Sequence, residues 1–351
     1  MNDTFLEFSR FLKENSKEIR SGLIMERDSP LRDIYKKAFY MHFIRYEGSP
    51  VPVTSVSSTD SSEFVRELYN SKKLILIRAY TLFGSNIHTS FIPQVQEVAR
   101  DHVQAYLTML MEHSEHLSIL NMLREERPEY ILVDGSFSGR VARYGRMLNA
   151  ESFREFHESY FQALRELLSI TQDRDIPVVY ISKSSESRKF KRFLLNEIPA
   201  SELTVDKSAL PDSSDHFLVR SLADERGYTE PITDIYTVGK GGVEVQVSTT
   251  HVVPEVMDLP MKVEVIDPRH PRGGISDDII NLVFWGYGSI KNHNIWLSQV
   301  DKMVKFRSAE MENVYMKAFE SEIGVEFYET RGFFSPMRDE YFLTVSSMSF
   351  R

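Results

Sequence analysis

The segment YILVDGS, residues 130–136, decides the fold of this chain. Four apolar residues followed by Asp134, a glycine and a serine are typical of a short buried strand that ends in a tight turn. A second apolar run, IPVVYISK (176–183), comes after a helical stretch at 151–171. Buried strands that alternate with helices favour a mixed α/β sheet with helices packed on its faces.

Two further strands are predicted upstream of that segment. VPVTSVSSTD (51–60) alternates and is rich in Val and Thr, which predicts a strand that ends at Asp60 with two serines as turn residues. KKLILIRAYTLF (72–83) is apolar enough for a central strand. A long helix at 95–124 then leads into the Asp134 strand.

The rest of the chain divides into helical ends and a strand-rich stretch. Helices are predicted at 4–22, 31–45, 187–195, 276–284 and 294–322, and antiparallel strands begin at 235, 243 and 261. The predicted domains are a helical N-terminal extension (1–48), a core that contains the strands (49–325) and a C-terminal tail on or near that core (326–351).

Composition excludes several classes of protein. The chain has 351 residues and no cysteine, which rules out a disulfide scaffold and thiolate metal sites and predicts a reducing cytoplasm. No run of about 18 apolar residues occurs, so no membrane contact is expected. The net charge of −9 argues against coating nucleic acid by phosphate neutralisation, although local basic patches remain compatible with it.

Asp60 and Asp134 are the candidate centre of chemistry. Carboxylates held at the ends of neighbouring buried strands can share divalent cations, which prefer hard oxygen ligands. The structural alternative is that Asp-Gly is a common turn and Asp-Ser-Ser a common helix cap. The sequence alone leaves both explanations open.

Two further groups of charged residues lie near these strands. On the helix MLMEHSEHLSIL (109–120), Glu112 and Glu115 lie three residues apart and share a face. The neighbouring histidines, His113 and His116, are predicted to be surface residues. Lys183 ends its strand and can neutralise a phosphate, whereas the basic run that follows, including Arg188 and Lys189, is equally typical of a solvated helix.

These segments, taken in order, resemble the NurA family of DNA-repair nucleases. The family's first motif is a strand ending in Val-Asp-Gly-Ser, and SVSSTDSS (55–62) matches its aspartate at Asp60. YILVDGS keeps the second aspartate motif intact at Asp134. The family's glutamate on the preceding helix corresponds to Glu115, with Glu112 as the alternative.

The resemblance continues towards the C-terminus. VVYISKSS (178–185) resembles a family strand that ends in Ser-Lys, which places Lys183, and MKVEV (261–265) resembles its Arg-Val-Glu strand. The family then has a Tyr-Pro segment and, eight positions on, a histidine. HNIWLSQVDKMV (293–304) puts His293 at the tyrosine and Asp301 at the histidine, a departure that still offers a ligand for Mg²⁺ or Mn²⁺.

The resemblance implies a fold, an activity and partners. The fold is an RNase H-like mixed sheet flanked by helices, and the activity is hydrolysis of DNA with Mn²⁺ or Mg²⁺, with two ions about 4 Å apart. Relatives form homodimers and work with the HerA hexameric translocase in DNA end resection. The implied metal ligands are Asp60, Asp134, Glu115 and Asp301; the implied catalytic residues are Asp60, Asp134, Glu115 and Lys183; the implied DNA contacts are Lys183, Arg188, Lys189 and His293.

Two other functions fit the same residues. The substitutions at His293 and Asp301 are also compatible with a catalytically decayed dimeric partner that binds or regulates the translocase. A metal-dependent phosphatase could use the Asp134-Gly-Ser turn. Mn²⁺ binding separates the nuclease from the decayed partner, and hydrolysis of small phosphate esters but not DNA would select the phosphatase.

Overall fold

The structure is a computed structural model. It describes residues 3–17, 30–68, 71–151, 153–198, 213–240, 242–256 and 258–324. The predicted tail at 326–351 and the last five residues of the helix predicted at 4–22 lie outside these ranges. Within them, no helix has both the length and the apolar character that a membrane crossing requires.

The described strands all belong to one sheet. The strands are β1 (Phe43–Arg45), β2 (Val56–Glu67), β3 (Lys73–Phe83), β4 (Asn86–Gln96), β5 (Tyr130–Asp134), β6 (Val178–Ser182), β7 (Gly227–Thr229), β8 (Ile232–Val238), β9 (Val243–Val253) and β10 (Met261–Ile266). The helices are α1 (Asp3–Glu14), α2 (Pro30–Met41), α3 (Val103–Glu125), α4 (Phe137–Ala142), α5 (Phe153–Asp173), α6 (Lys189–Glu197), α7 (Asp215–Leu222), α8 (Asp277–Gly286), α9 (Ile295–Val304), α10 (Ser308–Glu310) and α11 (Lys317–Ile323), with a π-helical stretch at Met311–Met316 and two 3₁₀ turns at Arg100–His102 and Arg143–Gly145.

The strand order is β1-β7-β9-β10-β6-β5-β2-β3-β4, with β8 paired to β9. Strands β2, β3 and β4 form an antiparallel meander, and β5 and β6 then run parallel to β2 on its other side. This is the RNase H-like arrangement that the resemblance implied. The predicted fold class, a mixed sheet flanked by helices, is therefore confirmed.

Helices cover both faces of the sheet because successive strand residues point to opposite faces. Ile131, Val133 and Tyr180 pack under α3 and α5 in the largest buried cluster. Leu132 and Ile181 point the other way and pack with α8 and α9. The four apolar residues of β5 are all buried, which explains why this segment has no polar face.

Strand β2 differs from its prediction at the residue that matters most. Asp60 was expected to end the strand, but β2 continues for seven residues to Glu67, paired throughout with β3. The serines predicted as turn residues are strand residues instead, and both Ser61 and Ser62 are buried. Only the parallel pairing with β5 stops near Asp60, because its last register pair is Thr59 with Val133.

The boundaries of two other elements also differ from their predictions. The helix predicted from residue 95 begins at Val103, since residues 86–96 form the edge strand β4. This strand contains Pro93, which an edge position tolerates because proline cannot donate to a neighbouring strand. The helix predicted to reach residue 45 ends at Met41, and residues 43–45 instead form β1. The division into domains stays a prediction.

The turn after β5 has a backbone conformation that requires glycine. Gly135 has φ +103°, a region that L-residues rarely adopt. The chain then enters α4, where the Ser136 hydroxyl caps the helix by accepting from the Gly139 N–H at 3.2 Å. The sharp exit from the sheet therefore depends on Gly135.

Substitution of Gly135 by Ala should destabilise the protein by about 1–3 kcal/mol, because alanine is strained at this φ. The matched control is Gly139→Ala, which lies inside α4 with room for a methyl group and should be neutral or slightly stabilising. Urea denaturation measures both. An equal loss in the two variants would contradict a conformational role for Gly135.

Candidate active site

The parallel pairing of β2 with β5 brings the two candidate aspartates side by side. Val56–Thr59 pair in register with Tyr130–Val133, so the next residues along the two strands are Asp60 and Asp134. Neighbouring strands lie about 4.8 Å apart, and residues in register point to the same face. Both carboxylates are therefore on the same face, at the point where β5 leaves the sheet.

That face is the one covered by α9. The residues flanking Asp60 on its own side, Ser58 and Ser62, contact the α9 region: the Ser58 hydroxyl donates to the Trp296 carbonyl at 3.2 Å, and the Phe306 N–H donates to the Ser62 hydroxyl at 3.4 Å. Asp301 lies on α9 and is partly buried, and its negative charge acts on Asp60. Its carboxylate also pairs with Lys305 at 2.8 Å.

Glu115 reaches the same place from the opposite face of the sheet. It lies on α3, and one of its carboxylate oxygens accepts a hydrogen bond from the Ser61 hydroxyl at 2.5 Å. The other oxygen pairs with the fully buried Arg140. Burial raises the pKa of Glu115, whereas Arg140 and the Ser61 hydrogen bond oppose that rise.

Electrostatics shows that these carboxylates act on one another. Burial, and after it the negative charges of Asp134, Glu115 and Asp301, together raise the pKa of Asp60 to about 8. Asp60 accepts the Ser61 backbone N–H at 2.8 Å, which opposes it. The charges of three carboxylates from three different elements therefore act on Asp60, and like charges so placed favour a bound cation.

Lys183 and His293 lie at the edge of this group. Lys183 follows β6 and pairs with Asp134 at 3.3 Å, with about half of its side chain exposed. His293 is buried, and burial together with the Lys183 charge lowers its pKa to about 4, although Asp134 and Asp301 oppose the shift. At neutral pH its imidazole is therefore uncharged.

The other sequence candidates lie in different surroundings. The Lys189 ammonium already pairs with Asp234 at 2.7 Å and also contacts the Tyr236 hydroxyl, and Arg188 is partly buried. Glu112 binds Arg143 through both carboxylate oxygens, at 2.6 and 2.7 Å, and accepts from the Tyr160 hydroxyl. Of the two glutamates, Glu115 is the one beside Asp60.

The prediction that His113 and His116 are surface residues is wrong. Both are buried, because α3 is covered by the sheet on one side and by α5 on the other. Burial lowers the pKa of His113 to about 4 and that of His116 well below its usual value. Neutral imidazoles inside this layer pack like aromatic side chains, and both contact the Tyr160 ring.

Comparison with known proteins agrees with this geometry. The NurA domain family matches residues 54–255. The chain belongs to the NurA family. The NurA nuclease from Sulfolobus solfataricus has a TM-score of 0.61 to this chain at 15% identity, over 93% of this chain and all of that one. A structure of NurA bound to dAMP and manganese has a TM-score of 0.54 at 12% identity, covering 92% and 97% of the two chains.

No curated protein matches the chain. At identities of 12–15% the structural likeness by itself establishes the shared fold. The family match establishes the membership, and the predictions of the NurA family and of a metal-dependent nuclease agree with these findings. The roles of individual site residues remain predictions.

The donor set of this NurA-family site fits a divalent metal ion. Four carboxylates from β2, β5, α3 and α9 supply hard oxygen donors, and within the described ranges no lysine or arginine pairs with Asp60. In the part of the chain that the structure describes, no three acidic or histidine side chains are already arranged around one point as a metal site. Glu115, Asp134 and Asp301 are each paired with a cationic side chain instead.

Sequence reasoning missed the residues that hold this NurA-family site together. Arg140, Ser61 and Ser136 all contact it or its supporting strands, as do Lys262 and Glu264, which form a buried ion pair at 2.8 Å beneath Ser136. No sequence pattern distinguishes Arg140 from a surface arginine, since its burial arises from the turn at Gly135.

Asp60→Asn should stabilise the metal-free protein at pH 8 by more than about 1.4 kcal/mol, the equivalent of one pKa unit. The folded-state pKa of about 8 lies above that of an unfolded aspartate. From about pH 4 to 8 the unfolded aspartate is ionised while Asp60 in the folded protein keeps its proton, so stability falls as pH rises through this range. The gain should therefore vanish near pH 4.

Thermal denaturation in chelator measures this difference at both pH values. Asp173→Asn, at an exposed position at the end of α5, is the control and should leave stability unchanged at either pH. If Asp60→Asn is no more stable than the wild type at pH 8, burial and the neighbouring carboxylates do not raise the pKa of Asp60.

Proposed function

We propose that this protein is a metal-dependent DNA nuclease with exonuclease and single-strand endonuclease activity. What supports the proposal is that Asp60 and Asp134 follow paired strands side by side and that the charges of Asp134, Glu115 and Asp301 all act on Asp60. These residues come from four elements that are far apart in sequence, and a packing role would not require carboxylates at all four positions.

These four carboxylates are the residues that would hold the metal, and two ions are proposed. Mn²⁺ or Mg²⁺ bound there would supply Lewis-acid stabilisation of the phosphodiester and a water of lowered pKa. Asp60 lies centrally, with Asp134 and Asp301 on its own face of the sheet and Glu115 behind it. Asp301 would take the place of the family's histidine, as an oxygen ligand instead of a nitrogen ligand.

The exposed Lys183 is proposed to bind the phosphate. Its ammonium lies 3.3 Å from Asp134 and is half exposed, so it can turn from the carboxylate to a phosphate oxygen as DNA enters. His293, uncharged and buried beside it, would donate or accept a hydrogen bond at the scissile group without adding charge. Arg188 and Lys189 remain proposed DNA contacts on the adjacent helix.

The cellular setting is proposed from the resemblance. The protein would act in DNA end resection during double-strand break repair, as a homodimer that works with a HerA-type hexameric translocase in the cytoplasm. A net charge of −9 on the chain makes delivery of DNA by such a partner useful, because the protein has little overall attraction for phosphate.

The nuclease proposal predicts that Asp60→Ala and Asp134→Ala each lower Mn²⁺-dependent degradation of single-stranded DNA by more than about 100-fold, since each removes a direct metal ligand. Circular dichroism should show an intact fold. Asp173→Ala is the matched control and should keep full activity. Wild-type rates in both site variants would refute the assignment.

Asp301 allows a separate test, because the family has histidine at this position. Asp301→Ala should raise the Mn²⁺ concentration needed for half-maximal activity by about tenfold or more, whereas Asp301→His should largely preserve it. Activity measured across a Mn²⁺ titration decides the matter. If Asp301→Ala behaves as the wild type, Asp301 is not a ligand.

The second candidate function is a catalytically decayed partner that binds or regulates the translocase. Two observations favour it: Asp301 replaces the family's histidine, and Glu115 is already engaged by Arg140. Calorimetric titration separates the two functions. Absence of Mn²⁺ binding at millimolar concentration would select the decayed partner, and micromolar binding together with DNA cleavage would select the nuclease.

A further inference from the structure

Arg140 is the most deeply buried cation close to the site. It lies on α4, six residues after Asp134, and its side chain is 2% exposed. The tight turn at Gly135 reverses the chain, so the arginine extends back beneath the strand that it has just left. An arginine this buried needs partners for most of its five N–H groups.

The partners of Arg140 come from three elements around the carboxylates. One terminal nitrogen, Nη2, pairs with the Glu115 carboxylate and also donates to the Asp134 carbonyl at 3.2 Å. The other, Nη1, contacts the Glu112 carbonyl at 3.4 Å and His116 Nε2 at 3.0 Å. The guanidinium also lies over the Tyr180 ring on β6, 5.3 Å from its centroid.

We propose that Arg140 is the positioning residue of the metal site, which fixes Glu115 and the Asp134 backbone relative to each other so that both carboxylates can bind one ion. The inference rests on the proposed function. In this role Arg140 binds neither DNA nor metal itself and acts only through Glu115 and Asp134.

The geometry leaves Glu115 able to bind a cation while it stays paired. Arg140 binds Oε2 and the Ser61 hydroxyl binds Oε1, but an ionised carboxylate has about four lone-pair directions. Two of these remain for a metal ion. The two contacts therefore fix the rotation of the carboxylate, in the way that outer partners orient metal ligands elsewhere.

The bond to the Asp134 carbonyl has a different effect. This carbonyl belongs to the residue that carries the second aspartate, immediately before the positive-φ Gly135. A donor fixed on this oxygen holds the peptide plane and therefore the direction of the Asp134 side chain. A lysine at position 140 would keep the positive charge. It lacks the planar guanidinium group that can donate to the Glu115 carboxylate and the Asp134 carbonyl in fixed directions.

Arg143 provides a matched control three residues further along. It forms a bidentate pair with Glu112 at 2.6 and 2.7 Å and is also largely buried, yet it contacts neither Glu115 nor Asp134. Loss of either arginine removes a buried ion pair between α3 and the segment after β5. Only loss of Arg140 should disturb the carboxylates that face the metal.

The test is Mn²⁺ binding to the full chain, measured by the electron paramagnetic resonance signal of free Mn²⁺ and by calorimetry, with folding checked by circular dichroism. Arg140→Gln should raise the dissociation constant by about 10–100-fold. Arg140→Lys should recover part of this loss, and Arg143→Gln should stay within about twofold of the wild type. Saturating Mn²⁺ should restore kcat on single-stranded DNA with KM for DNA unchanged.

Several outcomes would overturn the inference. Wild-type Mn²⁺ affinity in folded Arg140→Gln contradicts it, and so does an equal loss in Arg143→Gln, which would indicate a general structural effect. If Arg140→Gln does not fold, Arg140→Lys decides, and wild-type affinity in that variant is the contradicting result. If the wild-type chain itself binds no Mn²⁺, the proposed function fails first and this inference fails with it.

Discussion

Everything at the site depends on the four-residue parallel pairing between β2 and β5. The pairing ends at Thr59 and Val133, and the next residue on each strand is an aspartate. Because the two strands are buried between helical layers on both faces, their register is fixed by the apolar residues of β5 and by the hydrogen bonds of Ser57, Ser58 and Thr59 on β2. A slip of either strand by one residue would send the carboxylate of that strand to the opposite face.

Two helices add the remaining carboxylates of the site. Helix α9 lies over the face that carries Asp60 and Asp134 and adds Asp301, whereas α3 lies under the other face and adds Glu115 at the open end of β5. Arg140, returning from the turn at Gly135, ties α3 to the strand end. The acidic centre is thus bounded by a buried cation on one side and by the exposed Lys183 on the other.

Sequence reasoning found what depends on local pattern. The apolar runs of β5 and β6, the turn at Gly135 and the adjacent aspartates follow from residue type and order. It could not find the continuation of β2, since Ser61 and Ser62 resemble turn residues until the partners that bury them, Glu115 and Phe306, are known. The same holds for His113 and His116, whose burial arises from α5 and the sheet together.

Carboxylates that approach one centre from both faces of a sheet have a thermodynamic consequence. An ion held by Glu115 and Asp301 together would connect the α3 layer to the α9 layer, so its binding energy would add to the stability of their packing. Linkage makes the effect reciprocal: a partner that shifts one layer against the other changes metal affinity, and the ion changes affinity for that partner by the same factor.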